Sequence, residues 1–253
     1  MGYKKAIVIG AGAFGTSMAC VLAENFDEVI LKVRSKDIYD SIKTGENAIY
    51  LPGQKIPKNI TPAISWDELD SLVKDKDIQL IVNGLPTSAI TSFYKENNKR
   101  ITSYLEQGIH LVSISKGIDP NTLELSDDLF HDFFPSFTDQ ICYLSGPSFA
   151  KEIVDKQVTI VSMAGRTPEA LMDVCKKLNT DYFKCIPTYD VKGVLLGGAL
   201  KNILAIAGGI LEGLGYNHNT RAAMITRGIN EMLRFGKVFN ARPETFYSFS
   251  GMG

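Results

Sequence analysis

The stretch Gly10-Ala11-Gly12-Ala13-Phe14-Gly15 constrains this chain more than any other. Its G-x-G-x-x-G pattern is weak alone, because glycine is common. Here it follows an apolar, partly β-branched run (Lys4 to Gly10) that reads as a buried strand. It also opens a segment with helical spacing (Ala11 to Asn25, with Met18, Val21 and Leu22 recurring). Each glycine has its own physical task. Gly10 permits the tight turn, Gly12 lets backbone approach a pyrophosphate, and Gly15 lets helix pack on strand. The helix N-terminus adds unpaired N–H groups and a partial positive charge. A glycine-rich turn without a ligand is the competing reading, and the register of strand, motif and helix weighs against it.

The remaining pattern predicts strands alternating with helices. Strands are expected at 28–33, 78–82, 110–115, 141–144, 157–164 and 182–186, and helices near 36–43, 88–107, 123–134 and 168–178. Residues 44–62 hold three prolines and two glycines and read as one long loop. Such alternation implies an α/β, doubly wound parallel sheet. After Pro187 only helical patterning remains: two long apolar helices, about 191–214 and 220–240, and a third opening at Pro243. The expected division is a dinucleotide-binding domain over 1–188 and an all-α domain over 189–253, incomplete at Gly253.

Composition narrows the partners. The chain has 27 Lys+Arg against 28 Asp+Glu, so it carries no basic field for nucleic acid or an anionic membrane. An anionic ligand must then be held by local groups. Cys20, Cys142, Cys175 and Cys185 form no CxxC pair, and three histidines lack metal-ligand spacing. No metal site is expected. The N-terminal apolar run is too short for a signal-peptide core, and Lys201 interrupts the longest candidate for a membrane span. A cytoplasmic location without membrane insertion follows as the expectation.

Several polar residues fall where chemistry is expected. Arg34 follows the second strand, where an NAD-specific site usually carries an acid for the ribose hydroxyls. An arginine can pair with a 2′-phosphate instead, which favours NADP or tolerance of both cofactors; a solvated basic turn is the alternative. Lys116, in Ser115-Lys116-Gly117, closes the fourth strand at the ligand-facing end of such a sheet. Ser145-Gly146-Pro147-Ser148 closes the fifth, with Pro147 expected in the first turn of a helix whose N–H groups could bind an anion. Ordinary strand-end turns explain both equally well. Steps of four place Gly193, Gly197 and Lys201 on one helical face. Glycines weaken a helix, so two of them beside a lysine require a close approach by backbone or ligand. That setting would desolvate Lys201 and lower its pKa, as a general acid/base needs, with Asn202 as a neutral donor and acceptor beside it. A glycine-packed helix pair with a snorkelling lysine fits the spacing as well.

Taken together, GAGAFGT, NAIYLPG, SISKG, LSGPSFAKEI, GGALKNILAIAGGILEGLG and TRAAMITRGINEM followed by PETF resemble the bacterial NAD(P)-dependent glycerol-3-phosphate dehydrogenases. The resemblance runs from Gly10 to Gly253. It implies a Rossmann domain, a helical domain, a homodimer, and a phosphorylated small-molecule substrate. The implied reaction interconverts dihydroxyacetone phosphate and sn-glycerol 3-phosphate with NAD or NADP, supplying phospholipid synthesis. By this likeness Lys201 is the proton donor and acceptor, and Lys116 touches cofactor and substrate. Gly146 and Ser148 hold substrate, and Ala150 lies against the cofactor. Ala13 and Phe14 sit at its phosphates, Arg34 at the adenosine end, and Tyr50 is a further contact. Two departures stand out. Asn83 occupies a strand end that is often more apolar in the family. The relatives also continue past Ser250-Gly251-Met252-Gly253 with an Asp and an Arg-Asn pair, so impaired turnover is expected of a chain ending there. Another β-hydroxyacid dehydrogenase, or a cofactor-binding module without turnover, are the alternatives.

Overall fold

The computed structural model describes residues 2–74 and 76–253. In chain order the elements are β1 (Tyr3–Ile9), α1 (Ala13–Leu22), β2 (Phe26–Lys32), α2 (Lys36–Lys43), β3 (Glu46–Asn47), β4 (Leu51–Lys55) and β5 (Ile60–Ala63). There follow α3 (Trp66–Leu72), β6 (Ile78–Asn83), α4 (Thr87–Glu106), β7 (His110–Ser113) and α5 (Ser126–Phe133). A 3-10 turn (Pro135–Gln140) leads to β8 (Ile141–Ser145), α6 (Ala150–Val154), β9 (Thr159–Ala164), α7 (Pro168–Leu178) and β10 (Phe183–Thr188). The chain ends in α8 (Val191–Gly213), α9 (His218–Val238) and α10 (Pro243–Phe246).

The main sheet runs β10-β9-β8-β7-β6-β1-β2-β5, and from β5 to β8 every pairing is parallel. Alternation along β1 shows why both faces are covered. Ala6 and Val8 enter one core with α1, α2, α6 and α7, while Ile7 and Ile9 enter the other with α4, α5 and α8. This is the period-two rule applied to a strand buried on both sides, so it reads as a continuous apolar run. It is a Rossmann-type α/β sheet followed by helices.

Three local expectations change. Residues 44–62 are not one loop: β3 and β4 form a small antiparallel hairpin, and β5 joins the sheet beside β2. The last strands reverse direction, because β9 pairs antiparallel with β8 and carries β10 parallel to itself. The helix after β8 opens at Ala150 with Phe149 as its cap, so Pro147 lies outside it. Elsewhere the caps act as their residue types dictate. The Ser35 hydroxyl accepts from Ile38 N–H at the start of α2, and Thr167 accepts from Ala170 N–H before Pro168 opens α7.

Helix α8 has two unlike parts. Its first two turns, Val191 to Gly198, are buried apart from half-buried Lys192. Farther along, Ile203, Ile206, Ile210 and Leu214 are exposed. By length and composition α8 is long and apolar enough to cross a bilayer, so Lys201 does not exclude it on that measure. The packing of its N-terminal turns against the sheet is that of a core helix.

Candidate active site

Two glycine-bearing segments build the site. At the first, Gly10 takes φ +102°, a left-handed backbone that side chains rarely adopt. A Cβ at Gly15 would lie 2.1 Å from the Gly10 carbonyl oxygen, so α1 sits directly on the turn. A Cβ at Gly12 would meet nothing within 4 Å. Gly12 caps α1 without a side-chain hydrogen bond, so the first-turn N–H groups of Ala13 and Phe14 have no capping side chain. These residues therefore fit the pyrophosphate of a dinucleotide: an open cradle, free donors and the positive end of a helix. Buried Asn47 supports it, donating to the Ala11 carbonyl at 3.0 Å and to the Thr16 hydroxyl at 2.8 Å. Its Oδ1 accepts from Tyr50 N–H at 3.3 Å, which ties the hairpin to the glycine turn. Arg34 is exposed just after β2, and the Tyr50 ring is exposed at the hairpin tip.

The second segment is α8. Asp190 accepts from Gly193 N–H at 3.0 Å and caps the helix. It also accepts from Arg242 N–H at 2.8 Å and the Thr245 hydroxyl at 2.6 Å, binding α8 to α10. A Cβ at Gly197 would lie 2.7 Å from the Ser250 carbonyl oxygen, and one at Gly198 would lie 2.5 Å from Ser145 Oγ. The helix glycines thus admit protein, and that close fit presents Lys201 to the end of β8.

There the two lysines converge. Lys201 Nζ donates to the Gly146 carbonyl at 2.8 Å and to the Gly253 carbonyl at 3.2 Å. Lys116 Nζ donates to Ser148 Oγ at 3.0 Å and more distantly to the same Gly146 carbonyl at 3.4 Å. Ser148 Oγ in turn donates to Gly146 O at 3.1 Å. Lys116 also lies 4.9 Å from the centre of the Phe14 ring, so it reaches the glycine turn as well. Burial lowers the Lys116 pKa to about 8. Burial, and secondarily the charge of Lys116, lowers Lys201 to about 8 as well. Lys116, Lys201 and Asn202 all line a cavity of about 700 Å³.

Lys116, Gly146, Ser148 and Lys201, drawn from three separate stretches, come together in space. Ala150 lies in the first turn of α6, and Arg34 and Tyr50 lie apart from the lysines, on the glycine-turn side. Residue patterning missed Asn47, Asp190 and the double acceptor role of the Gly146 carbonyl. An aspartate at a helix start is a readable cap, whereas the partners of Asn47 lie more than 30 positions upstream.

Comparison with known proteins agrees with this geometry. The sequence matches the NAD-dependent glycerol-3-phosphate dehydrogenase N-terminus over residues 5–171 and the corresponding C-terminus over residues 190–253. The glycerol-3-phosphate dehydrogenase [NAD(P)+] of Leptospira biflexa is 41% identical over 97% of this chain and 72% of its own length. That of Myxococcus xanthus is 39% identical over 97% and 71%. The crystal structure of glycerol-3-phosphate dehydrogenase from Coxiella burnetii superposes with a TM-score of 0.83 at 30% identity, covering 100% of this chain and 74% of its own. The chain belongs to the NAD-dependent glycerol-3-phosphate dehydrogenase family.

Proposed function

We propose that this chain interconverts dihydroxyacetone phosphate and sn-glycerol 3-phosphate, with Lys201 as the proton-transfer group. The convergence of Lys201 and Lys116 on the Gly146 carbonyl, beside the glycine turn, is the observation that carries this reading. When bound, NAD(P)H would supply the hydride that reduces the keto carbon. As that carbon is reduced, its oxygen gains negative charge, and the Lys201 ammonium gives it a proton. In reverse, neutral Lys201 takes the hydroxyl proton. A lysine near pKa 8 can do both close to neutral pH. Lys116, held by Ser148 and by the Phe14 ring, orients substrate against cofactor and adds positive charge for a phosphorylated ligand. Gly146 and Ser148 hold substrate, Asn202 adds a neutral polar group, and Ala150 borders the cofactor.

Gly10, Gly12, Ala13, Phe14 and Gly15 form the pyrophosphate cradle, with Tyr50 beside it and Arg34 at the adenosine end. A basic residue at Arg34 supports use of NADP as well as NAD. The cofactor role belongs to residues 1–188, which also lend Lys116, Gly146 and Ser148 to the substrate, while residues 189–253 supply Lys201 and Asn202. Supply of phospholipid precursors, a homodimeric state and a cytoplasmic, non-inserted location rest on the family likeness. The test is direct: with reduced nicotinamide cofactor and dihydroxyacetone phosphate, absorbance at the reduced-nicotinamide band falls. Turnover of unphosphorylated keto acids in its place would refute the reading.

A further inference from the structure

Strand β6 ends in a fully buried asparagine. Asn83 is 0% exposed, at the carboxyl end of the sheet where the ligand crevice lies. A buried amide costs free energy unless its donors and acceptor are met, so its partners carry information. Tyr94 OH donates to Asn83 Oδ1 at 3.2 Å. Asn83 Nδ2 donates to Ser115 Oγ at 2.8 Å and, at 3.4 Å, to Ser113 Oγ. Ser115 Oγ then donates to the Leu85 carbonyl at 2.6 Å. Burial raises the Tyr94 pKa, which keeps its hydroxyl protonated as the first donor. The Tyr94 and Ser115 hydroxyls therefore each have one direction to point.

The network joins two functional segments. On one side, Gly84 N–H donates to the Ile9 carbonyl at 2.8 Å, and a Cβ at Gly10 would lie 2.9 Å from Gly84 O. The end of β6 is thus seated under the glycine turn. On the other side, Ile114 N–H donates to the Asn83 carbonyl at 3.0 Å, and Ser115 immediately precedes Lys116. Asn83 is the one side chain in this set bonded to the Lys116 segment while its own backbone abuts the cofactor turn.

We propose that Asn83 is a positioning residue: through Ser115 it fixes Lys116 relative to the glycine turn. The inference rests on the role given to Lys116 above. A merely structural amide would lose stability on removal and leave Lys116 in place. A positioning amide would move it.

The experiment compares Asn83→Ala, Ser115→Ala, the double variant and Tyr94→Phe with the parent. Lys116 is followed without ligand, by competitive acetylation across pH with the modified peptide quantified by mass spectrometry. In folded Asn83→Ala, the labelling midpoint of Lys116 should move up by about half a unit or more toward that of an exposed lysine, while that of Lys4 stays fixed. With dihydroxyacetone phosphate, kcat/KM should fall about tenfold in each single variant and no further in the double, because both cut one link. Tyr94→Phe, which spares the Ser115 link, should lower the melting temperature while leaving the Lys116 midpoint unmoved. An unchanged Lys116 midpoint in folded Asn83→Ala, or losses that multiply in the double variant, would overturn the proposal. A parent that fails to turn over dihydroxyacetone phosphate would count against the proposed function instead, and the labelling arm would still decide the role of Asn83.

Discussion

The glycine turn at residues 10–15 and the glycines of α8 look alike in sequence and serve opposite ends. In the turn, Gly10 and Gly15 are needed by the protein itself, while a Cβ at Gly12 would meet nothing. In the first two turns of α8 the glycines are pressed against protein: Gly193 on Asp190, Gly197 on the Ser250 backbone, Gly198 on Ser145, whereas a Cβ at Gly209 or Gly213 farther along would meet nothing. At Gly12 the space left open lies at the start of a helix, where it fits a ligand. Space filled beside a glycine marks a place where the fold needs close approach. In the proposed function the first region binds by leaving room and the second works by removing it, since packing at Gly197 and Gly198 brings Lys201 beside Gly146.

The contrast is sharpest at Lys201. Lys201→Ala should lower kcat by about 10²–10⁴-fold, the usual worth of a general acid/base, with cofactor affinity unchanged. Steady-state kinetics beside a cofactor titration would show it. Next come the packed glycines. Gly15→Ala and Gly197→Ala each drive a methyl into backbone, and each should cost about 1–3 kcal/mol in denaturant unfolding. Gly12→Ala should leave the unfolding midpoint within error and weaken cofactor binding about tenfold, about 1.4 kcal/mol. If instead Gly12→Ala unfolds the chain and Gly197→Ala only weakens cofactor, the two regions have been assigned the wrong way round. The smallest effect is at the exposed Arg34. Arg34→Ala should weaken NADP about two- to fivefold, as one solvent-screened ion pair allows, and leave NAD unchanged.

Much of this was legible because it is local. The glycine turn, the limits of α2 and α7, and the i, i+4 alignment of Gly197 with Lys201 all follow from periodicity and caps within a few residues. Residues 44–62 misled because β3 has two residues, β4 contains a proline and a glycine, and β5 is recognisable only through its pairing with β2. The reversal at β9 left no local mark, since an apolar strand buried on both faces reads the same in either direction. In the site, each lysine could be named singly. Their shared hold on one carbonyl arises from chain segments 30 and 55 positions away from Gly146. The outer face of α8 follows the same logic. Ile203, Ile206, Ile210 and Leu214 have the spacing of a buried stripe, yet they are exposed among the described residues.

The central claim is that Lys201 moves the proton, and its lowered pKa makes the claim measurable. Reduction needs Lys201 charged, so kcat with dihydroxyacetone phosphate should fall as pH rises through about 8. Oxidation needs it neutral, so kcat with sn-glycerol 3-phosphate should rise through the same value. The decisive measurement is the pair of pH–rate profiles, one in each direction, for the parent chain. Mirror-image profiles crossing near pH 8 are the predicted result. Two flat profiles, or two that bend the same way, would contradict it.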